Sequence, residues 1–145
     1  MPRHVNETMK TFGYPDTLLA DLDHWVVLLR PKQPTLGSLA LIAADPATMF
    51  AGIASEAHAA LGTAIKKVEG ALRGEMGCDK VNYLMLMMVD PHVHFHVLPR
   101  YATPPTFGGR AYADTAWPGP PVMANALDLP AAAFSELRDR LRKCF

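Results

Sequence analysis

The passage His92-Val93-His94-Phe95-His96-Val97-Leu98 sets three imidazoles at every second position. In a strand, whose side chains alternate, this spacing sends all three rings to one face and Val93, Phe95 and Val97 to the other. One face is then core and the other is free for chemistry. Three readings fit the residue types. The first is three surface histidines on a half-solvated strand. The second is a metal site, in which at most two of the three act together: at ~3.3 Å per residue His92 and His96 lie ~13 Å apart, too far for both to reach one ion with ~2 Å bonds. The remaining ligands would come from Asp90, His24, His58 or a cysteine, none at a recognisable ligand spacing.

The third reading uses imidazole as a nucleophile towards phosphorus. A neutral imidazole attacks through one nitrogen while the other keeps its proton on a fixed acceptor, and flanking histidines donate to the phosphoryl oxygens. Phosphoryl transfer depends mostly on positioning and on neutralising spread charge, so a row of imidazoles serves it without a basic protein. Asp90, two residues before His92, reads either as a turn residue or as a proton donor or orienter for that chemistry.

These residues need a scaffold. His24 to Arg30 reads as a strand closed by Pro31, and Ser38 to Ala43 as a second strand after a turn at 33–37, together an antiparallel pair. Asp45-Pro46 predicts a helix start, with Asp as cap and Pro in the first helical position. Phe50, Ile53, Ala57, Leu61, Ala64, Ile65, Val68 and Leu72 then recur at helical steps until Gly74 and Gly77. Lys80 to Val89 and His92 to Arg100 predict a hairpin joined by Asp90-Pro91. Met85, Met87 and Met88 read as filling of a strand buried on both faces, or as a soft wall under a base. Eight of the 13 prolines fall between Pro91 and Pro130, so that segment after Arg100 is expected to cross the surface, with Trp117 packing, stacking on a base or crossing an interface. A last helix over about 130–143 buries Phe134, Leu137 and Leu141, and its basic end favours the helix dipole. The order predicts an α+β fold with an antiparallel sheet, one long helix and a C-terminal helix.

The 145 residues are read as a single domain spanning 1–145. Fourteen basic and fourteen acidic side chains give zero formal charge, which removes any global field for a nucleic acid or an anionic membrane. The longest apolar runs, Leu39 to Ala44 and Leu84 to Val89, fall far short of the ~20 residues that cross a bilayer. The polar start lacks a signal-peptide core, so the expected compartment is the cytoplasm, with Cys78 and Cys144 as free thiols.

The run from His92 to Leu98, continued by Pro99-Arg100, resembles the motif of the histidine triad family of nucleotide hydrolases and transferases. The resemblance covers Leu18 to about Pro121. Asn82-Tyr83-Leu84 and the stretch from Asp114 to Pro120 look like bacterial members grouped with diadenosine polyphosphate hydrolases. It implies a homodimer, a small-molecule nucleotide substrate, no cofactor and no metal. Carried over, the middle histidine, His94, is the nucleophile, and His92 and His96 orient it and bind phosphate. Gln33 and Arg30 lie where members contact the nucleotide, although better-known branches carry Asn or Asp at the place of Arg30. Asp90 and Arg100 complete the expected substrate contacts. The activity implied is release of a nucleoside monophosphate from a dinucleoside polyphosphate; a phosphoramidate hydrolase, or a nucleotide-binding protein with little catalysis, are the alternatives. Many members place a Ser or Thr three residues ahead of the first histidine to assist the leaving group. Here that place is Val89. Met87-Met88 replaces a Gly-Asn of related bacterial sequences, and Ser38 replaces a family histidine after the turn glycine.

Overall fold

The computed structural model describes residues 3–145. Its elements run α1 (Glu7–Thr11), β1 (Leu18–Asp21), β2 (Trp25–Leu29), β3 (Leu39–Ala43), a 3₁₀ turn (Phe50–Gly52), α2 (Ser55–Met76), β4 (Lys80–Leu84), β5 (His94–Arg100), the short pair β6 (Thr106–Phe107) and β7 (Arg110–Ala111), and α3 (Ala131–Arg142). Strands β1 to β5 form one five-stranded sheet in the order β1-β2-β3-β5-β4, with every neighbour antiparallel. This is the expected α+β architecture. Among the described residues no helix is long and apolar enough to cross a membrane.

The central strands β2 and β3 are continuous apolar runs because both faces are covered. Trp25, Val27, Leu29, Leu39, Leu41 and Ala43 join Ala57, Ala64, Val68 and Leu72 of α2 in the main core. The indole of Trp25 donates to the Ala57 carbonyl at 2.8 Å and ties sheet to helix. The alternate positions Val26, Leu28, Ala40 and Ile42 face the other way and pack under Met9 and Phe12 of the N-terminal segment. Fully burying side chains of this size stabilises by about 1.5–3 kcal/mol each, so both faces contribute to holding β5 in place.

Register then fixes which face the triad occupies. His94 pairs with Ile42 and His96 with Ala40, both members of the smaller cluster under α1. Phe95 and Val97 fall on the α2 side. The expected alternation therefore holds for His94 and His96. It does not extend to His92, since β5 begins at His94 rather than His92.

Two further expectations are corrected. The long helix does not start at Asp45-Pro46 but at Ser55. Asp45 instead accepts from the Ala47 amide at 2.9 Å and the Ala54 amide at 2.8 Å, bracing both ends of the 3₁₀ segment that delivers the chain to α2. At its other end the reading from glycine is right: Gly77 sits at φ 64° and its amide caps the Arg73 carbonyl, while Gly74 lies within the helix. The hairpin is also looser than Asp90-Pro91 alone implies. β4 ends at Leu84, paired with His96, and residues 85–93 form a loop. Met87 adopts φ 42°, which breaks the extended run, and Leu86, Met88 and Val89 are exposed rather than buried on both faces.

Candidate active site

Three elements converge on the inner end of β5: the strand itself, the 85–93 loop and α1. His94 is 1% exposed, and its Nδ1 lies 2.6 Å from the carbonyl oxygen of His92. A carbonyl only accepts, so Nδ1 carries a proton, and in the neutral ring Nε2 keeps its lone pair. His96 meets His94 edge to face with ring centroids 4.9 Å apart. Burial, then the Arg30 charge, then His94 push the His96 imidazole down to about 4, so it is neutral near pH 7. His92 is half-buried and bonded through Nδ1 to the Thr8 hydroxyl at 3.0 Å.

Phe12 packs against both inner imidazoles, at 5.8 Å from His94 and 5.7 Å from His96 between centroids. The Arg30 guanidinium sits 5.7 Å from the same phenyl ring. Burial lowers its proton affinity, and the Asp90 carboxylate acts in the opposite sense. Leu86, Met88, Val89, Asp90, His94 and His96 line a pocket of about 120 Å³. Asp90 also walls a second one of about 320 Å³ with Thr11, Phe12, Arg30, Pro31 and Lys32. Among the described residues, the buried side-chain nitrogens without a partner are Arg30 Nε and His96 Nδ1. An unpaired buried group costs about 1–3 kcal/mol, and both fall at this site.

The structure thus brings together His92, His94, His96, Arg30 and Asp90. It keeps the Gln33 side chain within the β2–β3 turn and places Arg100 at the far end of β5. Gln33 is 1% exposed, and its amide is occupied by the β2–β3 turn: Oε1 accepts from the Gly37 and Ser38 amides, and Nε2 donates to the Arg30 and Ser38 carbonyls. Gly37 itself needs its φ of 92° there, where a Cβ would stand 3.3 Å from Met76. Arg100 lies six residues along β5 from His94, roughly 20 Å away. Its guanidinium donates to Asp114, Asn82 and the Gly119 carbonyl, beside a pocket of about 470 Å³ lined also by Lys80 and Trp117. Both were expected as substrate contacts, and both have their polar atoms committed to the fold.

Sequence reasoning missed Thr8 and Phe12. The available signal was Asn6, whose side chain accepts from the Met9 amide at 2.9 Å as an N-cap, opening a helix that sets Thr8 and Phe12 four residues apart on one face. Among the described residues no group of three or more His, Cys, Asp or Glu side chains is arranged to hold a metal ion.

No family profile and no curated protein sequence matches the chain. Solved structures do. A histidine triad protein from Bradyrhizobium japonicum is 25% identical over 97% of this chain and 96% of its own, with a TM-score of 0.72. A histidine triad protein from Sinorhizobium meliloti is 19% identical over 98% and 96%, with a TM-score of 0.75. One from Marinobacter aquaeolei is 20% identical over 88% and 86%, with a TM-score of 0.68. The chain shares the histidine triad fold of these structural neighbours.

Proposed function

We propose that this protein is a nucleotide hydrolase that works through a covalent nucleotidyl-histidine. The observation that carries this reading is the short contact of His94 Nδ1 with the His92 carbonyl, which leaves Nε2 as the free nucleophile. In the first step the Nε2 lone pair attacks the α-phosphorus of a dinucleoside polyphosphate. The P–O bond to the remaining phosphates breaks, its electron pair leaves with them, and a P–N bond forms. His94 is then cationic, with its Nδ1 proton held by the His92 oxygen. In the second step water attacks the same phosphorus, the P–N bond breaks with its electron pair returning to Nε2, one water proton stays on the product phosphate and the other passes to solvent, and nucleoside monophosphate leaves with neutral His94 restored. Arg30, whose Nε is unpaired, and neutral His96 are the donors for the phosphoryl oxygens in this reading.

A phosphoramidate substrate is the second reading, favoured by the pocket mouth. Leu86, Met88 and Val89 are apolar, and Asp90 is a carboxylate, a setting better suited to a protonated amine leaving group than to a polyanion. A homodimer belongs to the same proposal, and light scattering tests it. The deciding experiment offers the chelator-treated protein both diadenosine tetraphosphate and adenosine phosphoramidate. Monophosphate release supports the reading, and the substrate consumed first selects the leaving group. No release from either, with tight nucleotide binding retained, makes it a binding protein instead.

A further inference from the structure

The N-terminal helix α1 reaches the triad through one polar side chain. Thr8 is 1% exposed, and its hydroxyl meets His92 twice, accepting from the His92 backbone amide at 3.3 Å and lying 3.0 Å from His92 Nδ1. A hydroxyl has one hydrogen to give. Since the backbone N–H can only donate, the arrangement that satisfies every atom has Thr8 Oγ1 accepting from that amide while its own hydrogen goes to Nδ1. His92 is then the Nε2–H tautomer. His94 is the opposite, with its hydrogen on Nδ1, because its partner is a carbonyl. That carbonyl belongs to His92, the residue whose main chain and ring Thr8 holds.

His92 precedes β5, so the sheet ladder does not fix it. The Thr8 hydroxyl holds the His92 amide and ring, while the following peptide is held from the sheet side, Val93 accepting from the Ala43 amide at 2.9 Å and donating to the Ala47 carbonyl at 3.3 Å. We infer that Thr8 is a positioning residue of the triad, setting the tautomer of His92 and, through the His92 main chain, the placement of the carbonyl that keeps the proton on His94 Nδ1. Its catalytic consequence rests on the hydrolase reading above; its tautomer consequence does not. Thr8 is buried and acts through His92.

The test pairs imidazole ¹⁵N NMR with kinetics on the wild type, Thr8→Val and Thr8→Ser. The wild-type spectrum is expected to show His92 protonated at Nε2 and His94 at Nδ1. Thr8→Val removes the hydroxyl at nearly constant volume and should mix the His92 tautomers and lower kcat about tenfold with KM little changed, while Thr8→Ser restores both. A wild-type His92 protonated at Nδ1 overturns the inference, and it needs no variant to fold. So does a Thr8→Val protein with unchanged tautomers and kcat, or a Thr8→Ser protein as impaired as Thr8→Val. If the wild type turns over no nucleotide, the hydrolase reading falls and the spectra still decide the tautomer claim.

Discussion

The two ends of β5 each carry a buried polar cluster, and they are built on opposite rules. At the outer end Arg100 is matched atom for atom: its Nε lies 2.7 Å from Asp114, its other nitrogens reach Asn82, Asp114 and Gly119, and both charged side chains are almost wholly buried. Burial pushes the Asp114 carboxyl up, but hydrogen bonds from Arg100 and the Tyr101 amide outweigh it and hold it below its usual value. At the inner end Arg30 Nε and His96 Nδ1 have no protein partner, and burial lowers the proton affinity of both, with the Arg30 charge adding to the effect at His96. In the complete network every Arg100 nitrogen has a protein partner, whereas the incomplete one leaves two buried nitrogens unpaired, the contrast on which the proposed site rests.

Substitutions should split along that line. His94→Ala is expected to reduce turnover on the order of a thousandfold or more, with a smaller cost in urea of about 1–3 kcal/mol from the buried ring it removes. Arg100→Ala should do the reverse, costing about 3–5 kcal/mol in urea by leaving Asp114 buried without its partner, with kcat of the folded fraction retained. An Arg100 variant that folds normally but loses turnover would erase the contrast.

Acid titration separates the two ends again. His96 falls from its ordinary 6.5 to about 4 in the folded chain, so between those values the unfolded chain binds more protons. Stability is therefore complete above about pH 6.5, declines on acidification through that window by about 3 kcal/mol, and draws no further loss from this group below pH 4. Asp114 is depressed, so its contribution holds above its ordinary 3.8 and is lost only below it. His96→Gln should flatten the upper window alone, as read from denaturation midpoints at successive pH values. The smallest effect expected is at Asp90, where Asp90→Asn should lower kcat about tenfold and change its pH profile. An identical profile would reduce Asp90 to a turn residue.

Much of this was legible in the residues. The triad spacing, the β2–β3 pair and the Gly77 stop follow from period and backbone chemistry, which act locally. The rest depended on which groups pair once the chain is folded. Asp45 looks like a helix cap until Ala54 is seen to take its second oxygen. Met87 and Met88 look like strand until the backbone at Met87 turns positive. Gln33 and Arg100 are polar and near the right motifs, and only their hydrogen-bond partners, 3 to 5 residues away for Gln33 and 14 to 19 for Arg100, show the contacts they make in the fold. Thr8 lies 84 positions from His92, beyond any local pattern.

The central claim is that His94 Nε2 forms a bond to phosphorus. Its most direct test is the stereochemical course at an α-phosphorus made chiral with sulfur and isotopic oxygen, using a substrate that the protein hydrolyses. Two in-line displacements through His94 predict net retention. Net inversion would mean that water attacks directly, and would contradict the account.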